Sequence, residues 1–497
     1  MDKSLHQSIS RRRVLAGLVT LPLGVSLVAC SGGTNAPSAP TNAPPVAPTS
    51  AASVTQPTSV PSVPPTTAPA AQPTTMAAQT PAAAAQPQAG GKVKVVFLSW
   101  GDAVRQKVRA GLTKEFNDQH PNIQADWQVI PSDNFQAKLL TMIAGNVAPD
   151  IFMHSPPDLI RYATENISFN VSPLMATDKF DTSDYPPKAL QQLQFEGKQY
   201  AFPQDFPTRG MFFDRTLFKQ AGLTEPPGNY TDESWTWDRY LEAATKLTKS
   251  SNGRTSQFGY STGYTMRQWT PWIYTNGGEW LNEDLTKCTI TDAPCVEALQ
   301  FLQDLTYKYK VATRPGDLQE QNGLSMFSTG RLGMIEAIPG NIDTVEQQIK
   351  GFDWDCTHFP KGKGNYACTG GGSCYAMYAK TPHPEATWQF FTFADGPEAQ
   401  LAHVKSGATF PSRYSVYKQY LELYKGKAPL HLQMFIDGQP YLRLDPQTDN
   451  WNEIDTAIQK QMDLLANGTK TGKEVAQMVK DTVDPLLAKA KYRKPRA

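Results

Sequence analysis

Asp205 and Arg209 lie close together in an otherwise apolar run, Pro203-Gln204-Asp205-Phe206-Pro207-Thr208-Arg209-Gly210. Two charges in such a setting either pair with each other or face a ligand, where a guanidinium can hold two oxygens at once. Asp102 follows Trp100-Gly101 and opens a helix. Its carboxylate either caps that helix or accepts from ligand hydroxyls. Together, Asp102 and Asp205 could pose as the acid and base of a surface hydrolase, which needs two carboxylates flanking one cleft. No other catalytic pattern supports an enzyme. The chain has no Gly-x-Ser-x-Gly elbow, no His-Glu-x-x-His and no phosphate-cradling glycine loop. A formal charge of +1 over 497 residues argues against nucleic acid as the main partner. No cofactor is expected.

Six cysteines are present. Cys30 ends Leu27-Val28-Ala29-Cys30, which resembles a lipobox, so Cys30 is expected to become the lipidated first residue of the mature chain. Ser10-Arg11-Arg12-Arg13-Val14-Leu15 ahead of it resembles a twin-arginine export signal, and Val14 to Ala29 is an apolar core short for a comfortable membrane span, with an N-terminal transmembrane anchor as the alternative. Residues 1–30 therefore read as a signal peptide. The folded part is expected outside the cell membrane, held by lipid on its outer face. In that oxidising setting a Cys288–Cys295 disulfide is expected across Lys287-Cys288-Thr289-Ile290-Thr291-Asp292-Ala293-Pro294-Cys295. Two of Cys356, Cys368 and Cys374 could also pair, and the sequence does not say which. Their spacing fits no zinc pattern, so no metal is expected.

Residues 31–91 are Pro, Thr, Ala, Ser and Gln with almost nothing to bury, and read as a disordered tether. The remaining residues, 92–497, are long enough for two lobes. Lys92 to Trp100 reads as a buried parallel strand, Asp102 to Asp118 as an amphipathic helix, and Ile123 to Val129 as a second strand. Phe135 to Ala144 reads as a helix and Asp150 to Met153 as a third strand. This alternation predicts a doubly wound α/β sheet whose ligands gather at the carboxyl ends of the strands. Trp100, Asp102, His154 and Ser155 would share that rim.

Ala148-Pro149-Asp150-Ile151-Phe152, Gln199-Tyr200-Ala201-Phe202-Pro203 and Met211-Phe212-Phe213-Asp214 resemble the extracellular solute-binding proteins of carbohydrate ABC importers. So do Phe327 to Met334, Pro360-Lys361-Gly362, Gly370-Gly371-Gly372-Ser373 and Asn467-Gly468 to Glu474-Val475. Each motif is weak alone, and their shared order carries the resemblance. It implies an α/β, two-lobed periplasmic-binding-protein-like fold with an interlobe cleft and hinge crossings. Lobe one would be 92–205 and 374–412, lobe two 209–373 and 413–497. Hinge closure around a ligand is the motion such an architecture makes.

The resemblance implies a non-enzymatic monomer that binds a sugar or oligosaccharide and delivers it to ABC permease subunits. A different solute (polyamine, phosphodiester or peptide) is the alternative. Sugars want flat aromatic platforms and a rim of polar groups. His154 and Ser155 fall where the family places cleft residues. Trp269 and Trp272, in the aromatic-rich Tyr264 to Trp280, fall where it places stacking platforms. Gly340 and Asn341 stand where many relatives carry Gly-x-Trp. Gly371 and Gly372 would let backbone approach the ligand, and Trp451 is a further candidate platform.

Overall fold

A computed structural model describes residues 91–349, 351–407 and 409–495. The expected signal peptide, Cys30 and the expected tether up to residue 90 lie outside the described residues. Among the described residues, no helix is long and apolar enough to cross a membrane.

Val93–Trp100 is β-branched or apolar over most of its length, which suits a strand covered on both faces. It pairs in parallel with Ile123–Ile130 on one side and Ile151–His154 on the other. The helices Ala103–Gln119 and Phe135–Ala144 make the crossovers that parallel pairing requires. Cys374–Met377 then enters antiparallel beside Ile151–His154, with Ala201–Pro203 as the far edge. The core of this first sheet centres on Phe97, whose ring stacks on Trp127 at 4.3 Å and meets Tyr375 edge-on at 4.8 Å.

The second sheet runs Trp354–Thr357, Gly210–Asp214, Leu332–Ala337, Arg254–Ser261, Lys249–Ser251. Gly210–Asp214 is antiparallel to both neighbours, and Leu332–Ala337 is parallel to Arg254–Ser261. Successive side chains alternate between two cores. Met211 and Phe213 enter one with Tyr260 and Met334, while Phe212 enters the other with Phe258 and Ile335. Helices Trp237–Leu247, Met266–Thr275, Ala293–Tyr307, Trp451–Ala466 and Gly472–Lys489 supply the first of these cores through residues such as Tyr240, Trp272, Leu299, Ile458 and Val479.

Residues 201–209 and 369–377 pass between the sheets side by side and antiparallel. Gln204 N–H donates to Ser373 O at 3.0 Å, Gly371 N–H to Pro207 O at 3.1 Å, and Arg209 N–H to Thr369 O at 2.7 Å. This close approach sets the glycine run. A Cβ on Gly370 would strike Pro207 O, and one on Gly372 would strike the Asp205 backbone and carboxylate. Gly372 also sits at φ +64°, a left-handed conformation that glycine adopts freely. A third segment lies against this ribbon, where Ser412 Oγ donates to Pro203 O at 2.6 Å.

Candidate ligand cleft

The carboxyl ends of the first sheet's parallel strands open into a recess of about 220 Å³. Trp100, Phe135, Gln136, His154, Ser155 and Asp158 line it. Trp100 is half-buried and meets Phe135 edge-on at 5.0 Å. Its carbonyl accepts from the buried Arg109 guanidinium at 2.6 Å, which fixes the end of the strand.

His154 is a wall of this recess and only 2% exposed. Its Nδ1 lies 2.9 Å from Ser155 O, which can only accept, so Nδ1 carries the proton. Its Nε2 faces the Cys374 thiol at 3.3 Å. Burial pulls the imidazole down to about 4, so the ring is neutral at physiological pH. Both nitrogens are engaged within the protein, so neither is left for a ligand. Ser155 is exposed beside it.

Asp158 and Gln136, which the sequence reading missed, bring the polar chemistry. Asp158 Oδ1 accepts from Gln136 Nε2 at 2.8 Å and from Asn452 Nδ2 at 3.0 Å. Asn452 is the second residue of the helix Trp451–Ala466, which packs with the second sheet, so this bond ties the two halves. Burial raises the Asp158 carboxyl above its ordinary value.

Asp102 is the N-cap of Ala103–Gln119. Its Oδ1 accepts from Arg105 N–H at 2.9 Å, and its Oδ2 pairs with the Arg105 guanidinium at 2.6 Å. Asp205 Oδ1 accepts from Ser373 N–H at 2.7 Å and Ser373 Oγ at 2.8 Å. Burial raises this carboxyl, opposed by the two Ser373 bonds. Among the described residues no ion pair joins Asp205 to Arg209. Asp205 instead fastens the crossing ribbon. Gly371 and Gly372 are packed against that ribbon and against Gln192, whose Nε2 donates to Gly371 O at 2.9 Å.

Arg209 lies at the far end of the same crossing, partly exposed, with a buried Nε that has no hydrogen-bond partner. Its strongest charge neighbour is Glu336 on Leu332–Ala337. Burial pushes Glu336 up to about 7, with Arg209 pulling the other way. Nearby, Arg267 Nε donates to Asp445 Oδ2 at 2.9 Å. Glu336 was not anticipated from sequence, although a lone carboxylate in the apolar strand Leu-Gly-Met-Ile-Glu-Ala was a signal that could have found it.

The expected platforms Trp269 and Trp272 are both fully buried. Every residue from Trp269 to Thr275 is buried, so core surrounds this part of the helix on all sides. Trp269 meets Trp280 edge-on at 5.3 Å, and Trp272 packs among Tyr240, Tyr260 and Phe301. Trp451 is 4% exposed, with its ring 6.2 Å from that of Trp280. Gly340 and Asn341 are partly exposed, and Asn341 Oδ1 accepts from Ile338 N–H at 3.1 Å.

The Cys288–Cys295 bridge expected from sequence is absent. Both residues are buried free thiols, as are Cys356, Cys368 and Cys374. Cys288 Sγ donates instead to Trp280 O at 3.4 Å, and burial pushes the thiols of Cys288 and Cys295 up to about 11 and about 12. Among the described residues, no cluster of metal-ligating side chains forms.

A family model described as Bacterial extracellular solute-binding protein matches residues 101–401. A chain of Brucella abortus, named as a binding protein, is 23% identical over 390 residues, 76% of this chain and 89% of its own length. Two solved structures share the two-lobed periplasmic-binding-protein-like fold. The ABC substrate-binding protein of Listeria monocytogenes, in complex with cycloalternan, is 25% identical with a TM-score of 0.72, covering 80% of this chain and 99% of that one. The GacH receptor of Streptomyces glaucescens, solved unliganded and with acarbose, is 21% identical with a TM-score of 0.69, covering 80% and 100%. Two α/β halves, a hydrogen-bonded crossing ribbon and a recess at the strand ends agree with the matched residues: the chain belongs to the bacterial extracellular solute-binding proteins.

Proposed function

We propose that this protein captures a sugar or oligosaccharide between its two halves and delivers it, unaltered, to the permease of an ABC transporter. The observation that carries this reading is the makeup of the recess. A half-exposed Trp100 ring stands beside Gln136, Ser155 and Asp158, which supply neutral and acidic hydrogen-bonding groups. An aromatic face with a few fixed polar groups suits the C–H faces and hydroxyls of a sugar. The likeness to proteins solved with cycloalternan and acarbose supports the same class. Lobe one is residues 92–205 and 374–412, and lobe two is 209–373 and 413–497. Closure of one on the other seizes the ligand. The mature chain is a monomer, tethered by residues 31–91 to a lipid anchor at Cys30, on the outer face of the membrane.

The carboxylates do not suit hydrolysis. Asp102 is engaged by Arg105 and Asp205 by Ser373, which leaves no free acid–base pair of the two first considered.

A thermal-shift screen with maltose, maltotriose, mannobiose, acarbose, cycloalternan, spermidine, a glycerophosphodiester and a tripeptide tests the reading. A saccharide at 100 times its dissociation constant should stabilise the fold by about 2.7 kcal/mol. Stabilisation by spermidine, phosphodiester or peptide alone would replace the carbohydrate reading. Chromatography of the recovered saccharide checks the rest, because a shortened product would mean an enzyme.

A further inference from the structure

Glu336 is 7% exposed. Its Oε1 accepts the Tyr260 hydroxyl at 2.5 Å and the Trp272 indole N–H at 3.1 Å, which fixes the rotation of the carboxyl group. Its Oε2 is buried and has no partner. Arg209 is the charge acting most strongly on Glu336, and Glu336 the charge acting most strongly on Arg209. Yet, among the described residues, no hydrogen bond joins them, and the buried Arg209 Nε is also unpartnered. Glu336 pairs with Met211 and Ala337 with Gly210, so Arg209, the residue before Gly210, enters the sheet next to the Glu336 strand. A buried acceptor and a buried donor on these neighbouring segments, each lacking its bond, are unfavourable until something supplies both.

Resting on the carbohydrate reading, we propose that Glu336 and Arg209 are a specificity-determining pair that reads one vicinal diol of the ligand. One hydroxyl donates to Glu336 Oε2, and its neighbour accepts from the Arg209 guanidinium. A carboxylate and a guanidinium presented together match the donor and acceptor sides of adjacent hydroxyls. Tyr260 and Trp272 are positioning residues, since they hold the other carboxyl oxygen.

The groups that face Glu336 are Arg209 from the crossing, Tyr260 from Arg254–Ser261, Tyr240 from Trp237–Leu247 and Trp272 from Met266–Thr275. Burial holds both tyrosines protonated. Glu336, raised to about 7 by burial, is then the member of this set that changes charge near neutrality. The hydroxyl donates to the carboxylate form, so affinity rises with pH between about 6 and 8, and binding below that range releases a proton.

The test is calorimetric titration of the wild type, Glu336→Gln and Arg209→Lys from about pH 5.5 to 8.5. Maltotriose, mannobiose and cycloalternan serve as probes, and thermal unfolding confirms that each variant is folded. Both substitutions should weaken the best wild-type probe by about tenfold or more. Glu336→Gln should also flatten the pH profile. Arg209→Lys lies outside the aromatic core and keeps the test decisive should Glu336→Gln unfold. Wild-type affinity and pH profile in the folded variants would overturn the pair while leaving the carbohydrate reading in place. A wild type that binds no probe at any pH would overturn that reading and the pair with it.

Discussion

Trp272 donates its indole N–H to Oε1 of Glu336 at 3.1 Å from within a fully buried aromatic cluster. The ring is therefore a scaffold for a carboxylate. Trp272→Phe retains most of the packing and removes this bond. It should destabilise the fold by about 1–3 kcal/mol, the range for leaving a buried polar group short of a partner. Urea unfolding at fixed pH measures it. No change in midpoint would mean the indole bond is dispensable.

Glu336 also makes stability depend on pH. Its carboxyl, at 4.5 in the unfolded chain, is raised to about 7 by burial. The folded state thus holds the proton more tightly. This contribution is fully present below about pH 4.5 and is lost as pH rises through about 7, a swing on the order of 3 kcal/mol. In Glu336→Gln the stability curve should lose that slope, as melting temperatures across the window will report.

Much of the first sheet was legible because its strands and helices are local and strongly periodic. Val93–Trp100, Ile123–Ile130 and Phe135–Ala144 fall within a residue of the expected bounds. The aromatic helix was harder to read. Trp269, Trp272 and Trp280 have the side chains of a sugar platform, and only tertiary packing turns them into core. The same holds for the Gly370–Gly372 run. Glycine permits ligand approach and chain approach alike, and the partner here is Pro207 and Asp205. Asp158 and Asn452 meet across 294 residues of sequence, a relationship no local pattern encodes.

Gly372→Ala combines a left-handed backbone with a collision against Asp205. It should cost about 1–3 kcal/mol. Gly426 shares the backbone conformation, at φ +74°, with open space around it. Gly426→Ala should cost about 1 kcal/mol, the backbone part alone. Equal melting temperatures for the two variants would remove the crossing contact as the cause.

Arg267 pairs with Asp445, whose side chain is 5% exposed. Arg267→Gln strands that carboxylate. Breaking a fully buried pair costs about 3–5 kcal/mol; Arg267 is itself 28% exposed, so about 2 kcal/mol is expected. Denaturant titration of variant and wild type at neutral pH measures the loss, and equal midpoints would refute the pairing argument.

Cys374–Met377 lies between Ile151–His154 and Ala201–Pro203, and Cys374 bonds to a histidine 220 residues earlier. During synthesis, the amino-terminal half must leave the ribosome with a hydrophobic seam unzipped until that late segment appears. Pairing so distant in sequence is of the kind that slows assembly and leaves strand edges open in the meantime.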